Sequence, residues 1–135
     1  MIKVKMIHTL LTQLGGHIIV QDNVFLGGFT GVHQFCRIGT MSIIGGCSKV
    51  VQDVPPYMMV DGNPAATRTL NKEGLKRNGV SEDTQKSMRQ AYRILFRSEQ
   101  TFTNAVKKVR ADVASSSELE HLLAFIESSE RGIVK

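Results

Sequence analysis

From Leu14 onward an aliphatic residue returns every six positions: Leu14, Val20, Leu26, Val32, Ile38, Ile44 and Val50. Seven such hexads run without a gap from Leu14 to Pro55. A second phase follows four residues after each aliphatic: Ile18, Val24, Thr30, Cys36, Ser42, Ser48 and Val54, with only small residues from Thr30 to Ser48. A period of six keeps neither phase on one face of an α-helix, which repeats every ~3.6 residues. Glycine pairs interrupt the two-residue alternation of a hairpin sheet. A parallel β-helix satisfies the pattern, with one short strand and one turn per hexad. The aliphatic residue points inward and stacks on its equivalent in the next coil, and the small residue fills a crowded inner position near the corner. Glycine follows the aliphatic at Gly15, Gly27, Gly39 and Gly45, and is expected to serve the turns because it tolerates positive φ.

With three hexads to a coil, the repeat makes just over two coils. Solenoids need about three repeats and protected ends, so the N-terminal edge calls for cover. The phase extends back to His8 and Ile2, but His8 is a poor inward residue. Residues 1–13 are read as an edge cap or an irregular start, and residues 14–55 as the β-helix.

After Pro55-Pro56 the period disappears. Residues 56–70 read as a connecting loop, with Asp61-Gly62-Asn63-Pro64 as a turn signal. Residues 71–135 read as a small helical domain. Ser81 is an expected N-cap followed by Glu82 and Asp83 in the first turn, and Met88, Ala91, Tyr92, Leu95 and Phe96 carry helical spacing. A further helix is expected from near Thr101, through Phe102, Ala105, Val106 and Val109. Ser117 and Glu120 have capping-box spacing ahead of Leu122, Leu123 and Ile126.

Composition narrows the class. The chain has 135 residues, 41% of them apolar, and a formal charge of +5. That apolar content argues against disorder, and no apolar run approaches the ~18 residues that span a bilayer. Lys3 and Lys5 precede a short apolar stretch without a small-residue cleavage site, which argues against a signal peptide. Cys36 and Cys47 are not spaced as a metal pair, and read as two buried thiols of a cytoplasmic protein. The basic charge concentrates in residues 71–110, where ten Lys/Arg face four Asp/Glu. Such a patch attracts anionic partners. Without a nucleic-acid motif or aromatic interleaving, nucleic acid is the weakest of them.

The segment Gly28-Phe29-Thr30-Gly31-Val32-His33-Gln34-Phe35-Cys36-Arg37-Ile38-Gly39 resembles the Val-His-Gln-Phe region of the UDP-N-acetylglucosamine O-acyltransferases, a hexapeptide-repeat family. Gln52-Asp53-Val54-Pro55-Pro56-Tyr57 is similar to the end of that family's β-helix. Asn71-Lys72-Glu73-Gly74-Leu75-Lys76-Arg77-Asn78-Gly79 resembles the start of its helical domain, and Tyr92-Arg93-Ile94-Leu95-Phe96-Arg97-Ser98 and Arg131-Gly132-Ile133 also fit. These occur in family order over residues 14–135. The later segments separate this branch from the related N-acyltransferase.

The resemblance implies a left-handed β-helix followed by helices, in a homotrimer with sites between neighbouring subunits. It implies transfer of a 3-hydroxyacyl chain from acyl carrier protein to the 3-hydroxyl of UDP-N-acetylglucosamine, the first step of lipid A biosynthesis, with no cofactor and no metal. The chemistry needs a base for the sugar hydroxyl and a donor for the developing oxyanion. By matching, Gly28 presents a backbone N–H to the reacting carbonyl, and His17, His33 and Gln34 line the substrate groove. Gly46 limits the acyl-chain tunnel. Asn71, Glu73 and Arg77 contact the nucleotide or the donor's pantetheine arm, and Asn78 stands where the family commonly has a second arginine. Lys72, Lys76, Arg77, Arg89, Arg93 and Arg97 would receive the acidic carrier protein. The family's general-base histidine matches a position before Met1, and neither His8 nor His33 matches it. Two alternatives stay open: a non-catalytic trimeric binding or scaffold module, and a hexapeptide acyltransferase with another acceptor.

Overall fold

The computed structural model describes residues 7–8 and 13–135. The N-terminal part is a left-handed parallel β-helix, built from two-residue strands: β1 (Ile7–His8), β2 (Gln13–Leu14), β3 (Ile19–Val20), β4 (Phe25–Leu26), β5 (Gly31–Val32), β6 (Arg37–Ile38), β7 (Ile43–Ile44) and β8 (Lys49–Val50). Strands eighteen residues apart pair in parallel: Gln13 with Gly31 and Gly31 with Lys49, Ile19 with Arg37, Phe25 with Ile43. Three hexads therefore make one coil, as the period requires. From β3 to β8 the second residue of each strand points inward. Leu26, Ile38, Ile44 and Val50 are fully buried, and Val20 and Val32 nearly so. Thr30, Cys36, Ser42 and Ser48 fill the small inner positions. Two of their hydroxyls return to the chain three residues back, Thr30 Oγ1 to the Gly27 carbonyl at 2.7 Å and Ser48 Oγ to the Gly45 carbonyl at 2.5 Å.

The glycines serve a different purpose from the one expected. The left-handed corner conformation falls on His17, Asn23, Phe29, Phe35, Met41 and Cys47, all with φ between 56° and 66°. The glycines after the inward aliphatics instead admit the next coil. A Cβ on Gly15 would lie 2.6 Å from the Gln34 nitrogen, and one on Gly45 would lie 2.8 Å from Asp61 Cβ. On Gly27 it would press into the Gly46 backbone, and on Gly39 into Pro56. Cys47 occupies one of the corners and is exposed, so only Cys36 is a buried thiol.

The segment 56–70, expected as a loop, is a β-hairpin. β9 (Met58–Gly62) first continues the column of β1, β4 and β7, pairing Ile44 with Val60 in parallel, and Val60 enters the β-helix core. The chain then turns at Gly62 and a cis Asn63–Pro64 bond into the antiparallel β10 (Ala65–Leu70). The burial pattern of β9 alternates through Met58, Met59 and Val60, which is the two-residue period of a half-covered strand.

Four helices follow: α1 (Lys72–Arg77), α2 (Glu82–Phe96), α3 (Phe102–Asp112) and α4 (Ser117–Glu127). Ser81 caps α2 as the sequence predicts and Thr101 caps α3, each side chain accepting an N–H three residues on. The cap of α4 is Ser116 rather than Ser117, with Ser116 Oγ accepting the Leu119 N–H at 3.1 Å. A second core joins Met58 and Leu70 of the hairpin to Leu75, Met88, Leu95 and Leu122 of the helices. The tail then returns to the β-helix. Ile133 pairs with Asp53, and Val134 is buried in the first core.

Of residues 1–13, only the backbone of β1 and Gln13 fall within the described residues. β1 pairs in register with β4, so His8 holds the phase of Leu26. The expected edge cap otherwise lies outside the described residues.

A Gly27→Ala substitution is expected to destabilise the fold by about 1–3 kcal/mol, as overpacking does. Gly16→Ala, where a Cβ meets nothing within 4 Å, is expected to stay within ~0.5 kcal/mol. Denaturant unfolding of the two variants checks this, and equal stabilities would refute the close-approach role.

Candidate functional site

The triangular coil gives the β-helix three edges. The first carries residues 15–17, 33–35 and 51–53. The second carries residues 21–23, 39–41 and 55–57, and the third carries residues 27–29 and 45–47. The candidate residues divide among them.

His17, His33 and Gln34 share the first edge, and all three are exposed. The His17 ring stacks on Phe35 of the next coil, with centroids 5.2 Å apart and planes at 17°. Two grooves flank this edge. One, of about 460 Å³, lies over β2, β5 and β8 and is lined by Gln13, Gly31, His33, Gln34 and Lys49. The other, of about 780 Å³, is lined by His17, Ile19, Phe35, Arg37, Glu130 and Arg131.

Gly28 and Gly46 share the third edge, on successive coils. A Cβ on Gly46 would lie 3.2 Å from the Gly28 carbonyl oxygen, and that oxygen accepts the Cys47 N–H at 2.9 Å. The Gly28 N–H donates to no backbone acceptor among the described residues. Gly46 is exposed, so a side chain there would change the surface of this edge.

Helix α1 starts from the second edge, and Asn71 is the reason. Its Oδ1 accepts the Gly74 N–H at 3.0 Å, and its Nδ2 donates to the Met41 carbonyl at 2.7 Å. Its backbone N–H donates to the Tyr57 carbonyl at 2.7 Å. Asn71 is 5% exposed. Both ends of its amide are engaged inside the chain, so its side chain caps and aims α1. Glu73 and Arg77 lie four residues apart on α1, hence on one face. Both are exposed, and neither joins an ion pair among the described residues.

The basic helix face is also differentiated. Lys86, Arg89 and Arg93 of α2 line one open depression. Arg97 is instead committed within the chain, donating to the Tyr92 hydroxyl at 2.7 Å and the Arg68 carbonyl at 2.6 Å. Among the described residues no three His, Cys, Asp or Glu side chains converge as a metal site, and no helix is long and apolar enough to cross a membrane. Burial pushes the Cys36 thiol up, which disfavours a nucleophilic thiolate there.

Two titratable residues at these edges were not expected at the site, although Arg131 belongs to a segment that carries the resemblance. Arg131 comes from the tail to the first edge, its Nη2 lying 3.4 Å from His33 Nδ1. His121 of α4 reaches the second edge, where its Nε2 meets Gln21 Oε1 at 2.9 Å and Thr40 Oγ1 at 3.2 Å, edge-on to Tyr57. Helical spacing gives no signal for either, because each partner lies far away in the chain.

The model of a family described as UDP N-acetylglucosamine O-acyltransferase, domain 2, matches residues 53–134. The acyl-(acyl-carrier-protein)–UDP-N-acetylglucosamine O-acyltransferase of Thiobacillus denitrificans is 44% identical over 123 residues, covering 91% of this chain and 48% of that protein. The chain thus spans about half the length of the curated relatives it matches. Among solved structures, the Arabidopsis UDP-N-acetylglucosamine acyltransferase superposes with a TM-score of 0.89 at 42% identity, over 97% of this chain and 49% of the other. That of Bacteroides fragilis gives 0.89 at 37% identity, over 92% and 49%.

Two outcomes are expected. Asn71→Ala removes the α1 cap and its tie to Met41, and should lower stability by about 1–2 kcal/mol, read by thermal unfolding. Burial lowers the pKa of His121 below the ordinary imidazole value. The folded state then resists a proton that the unfolded chain accepts. This contribution is present above pH ~6.5 and is lost as pH falls from there towards the depressed folded value. Stability measured across that window should fall, and His121→Gln should flatten the fall. An unchanged profile in the variant would show that His121 is not the group responsible.

Proposed function

Because the chain belongs to the UDP-N-acetylglucosamine O-acyltransferase family, we propose that it forms the part of such an enzyme that binds the acceptor and limits the acyl chain. The reaction is transfer of a 3-hydroxyacyl group from acyl carrier protein to the 3-hydroxyl of UDP-N-acetylglucosamine, at the start of lipid A biosynthesis. One observation carries this reading: the matched residues are split among three edges of the prism. His17, His33 and Gln34 lie on the first edge, Gly28 and Gly46 on the third, and Glu73 and Arg77 on the helix that starts from the second. Residues so divided converge when edges of neighbouring copies face one another, which is the arrangement of a homotrimer with shared sites.

In this assignment the sugar hydroxyl attacks the thioester carbonyl, its proton passes to a base, and the carrier thiolate leaves. The Gly28 N–H is available to the developing oxyanion, where a fixed donor stabilises charge that appears only in the transition state. Gln34 and His33 hold the sugar nucleotide, and Arg77 faces phosphate as a permanently charged fork. Asn78, being uncharged, leaves Arg77 without the second arginine. Glycine at position 46 leaves room for the acyl chain that any side chain would fill. Lys86, Arg89 and Arg93 offer the acidic carrier protein a basic face. The cytoplasm, where the carrier and nucleotide sugar are found together, is the proposed compartment. None of these residues matches the family's general base, so they are assigned binding and not proton abstraction.

Calorimetric titration of UDP-N-acetylglucosamine into the purified chain should show binding. Gln34→Ala and Arg77→Ala should each weaken it by about tenfold, the worth of one charge-assisted hydrogen bond. Absence of binding would sink the acceptor assignment. Adding 3-hydroxyacyl carrier protein should give no transfer. Transfer that His33→Ala abolishes and His8→Ala preserves would move the base to His33.

A further inference from the structure

The tail that closes the β-helix also reaches into the first edge. It is held at several points: the Asp53 N–H donates to the Gly132 carbonyl and the Val134 N–H to the Asp53 carbonyl, both at 2.9 Å. Thr67 Oγ1 donates to the Val134 carbonyl at 2.6 Å, and the Val134 side chain is buried. Gly132, at φ 84°, turns the chain tightly against Gln52, whose Nε2 would lie 2.6 Å from a Cβ there. Gln52 Nε2 in turn donates to the Arg131 carbonyl at 3.4 Å. The backbone before Gly132 is thereby fixed over the edge, and Arg131 is delivered to one place.

At that place the Arg131 Nη2 lies 3.3 Å from the Val51 carbonyl and 3.4 Å from His33 Nδ1. The same Nδ1 lies 3.3 Å from the Gln34 carbonyl oxygen. These two neighbours make opposite demands. A guanidinium only donates, so it needs a lone pair on Nδ1. A carbonyl only accepts, so it needs a proton there. A neutral imidazole nitrogen satisfies one or the other, and its partner nitrogen takes the opposite role. A hydrogen bond from a charged donor is roughly twice as strong as a neutral one, which favours the guanidinium.

We infer that Arg131 is a positioning residue for His33: its guanidinium occupies the Nδ1 lone pair, places the ring proton on Nε2, and makes His33 offer an N–H donor. Without Arg131 the Gln34 carbonyl draws the proton to Nδ1, and Nε2 becomes an acceptor. The residue at the tail thus selects which half of a hydrogen bond the edge presents. An Nε2–H suits an oxygen acceptor, such as a phosphate or an amide carbonyl of the sugar nucleotide. It also prevents His33 from abstracting a proton, since neither nitrogen is then free to take one. The inference rests on the proposed acceptor-binding role of His33 and adds the group it presents.

Long-range proton–nitrogen correlation spectra of the labelled chain read the tautomer directly, with His33 assigned by its loss in His33→Ala. At pH ~8.5, above the ordinary imidazole range, His33 should show a protonated Nε2 and an unprotonated Nδ1. Arg131→Met should shift the population towards protonated Nδ1, and Arg131→Lys, which keeps a charged donor, should restore the original pattern. A protonated Nδ1 in the unaltered chain, or an Arg131→Met spectrum unchanged at His33, would overturn the inference. The first of these needs no variant to fold. A titration with UDP-N-acetylglucosamine separates the two readings, because the tautomer is measured without ligand. If the nucleotide sugar binds, Arg131→Met and His33→Ala should weaken it by similar factors, and the double variant by no more than either. Additive losses would show that Arg131 acts apart from His33. If it does not bind, the acceptor assignment fails and the spectra alone decide the role of Arg131.

Discussion

Every feature of this chain depends on coils that lie backbone to backbone at a spacing of eighteen residues. Parallel pairing fixes the separation of neighbouring strands at about 4.8 Å, and nothing larger than hydrogen fits between the coils at Gly27 or Gly39. The coil must also turn three times in eighteen residues. It does so by placing His17, Asn23, Phe29, Phe35, Met41 and Cys47 at positive φ, a conformation that costs a non-glycine residue of the order of 1–3 kcal/mol. The hydrogen bonds between coils over-determine these corners. The Phe35 N–H donates to the Gly16 carbonyl, that of Met41 to Asp22 and that of Cys47 to Gly28. Strain at these three corners is thus matched by a bond that only the turned backbone can make. A further consequence follows for function: a corner residue at this φ projects its side chain away from the core, which leaves Phe29, Phe35 and His17 exposed.

The β-helix and the helices are joined by a second, more local device centred on Asp53. Its side chain is 2% exposed, and a carboxylate so placed needs several partners. It accepts the Arg37 backbone N–H at 2.8 Å, the Arg37 Nε at 3.3 Å and the Ser129 hydroxyl at 2.7 Å. Arg37 continues outward to the Phe125 carbonyl and the Ser128 hydroxyl, with its guanidinium 4.2 Å from the centre of the Phe125 ring. The backbone of the same Asp53 pairs with the tail. One residue of the last coil therefore holds the end of α4, the tail and the coil below it. Removing the Arg37 charge would strand the Asp53 carboxylate in a buried position, which costs more than the pair contributes.

The aliphatic hexads were legible because burial repeats with the coil, and each inward position reports the same environment. The purpose of the glycines was not, since a turn and a close approach leave the same residue at the same spacing. The hairpin at 58–70 escaped because the period changes from six to two over only five residues of β9, too few for a pattern to establish itself. The α1 cap was available in principle: Asn71 precedes Glu73 in a first helical turn. His33, Gln34 and His17 were legible as neighbours once eighteen residues is taken as one coil, because His17 and Phe35 then share an edge. His121 and Arg131 were not, as they meet Gln21 and His33 across 100 and 98 residues of chain. Contacts of that span depend on where the helices dock, and no local preference encodes it.

The prism sets the terms on which any site can be built. Each edge displays a column of residues, and the three columns face outward from one another. Side chains of adjacent edges are separated by a sheet face, so a single coil cannot close them around a ligand. The first edge gains what it lacks from the tail, which brings Arg131 back across the final coil. The second gains α1, aimed by Asn71 and carrying Glu73 and Arg77 outward. The third keeps a smooth strip at Gly28 and Gly46. Under the proposed function these are three incomplete parts: a polar binding edge, a charged arm and a channel wall. Under that proposal their separation is what a neighbouring copy would resolve, beyond any stability that burying Ile19 or Phe35 would add.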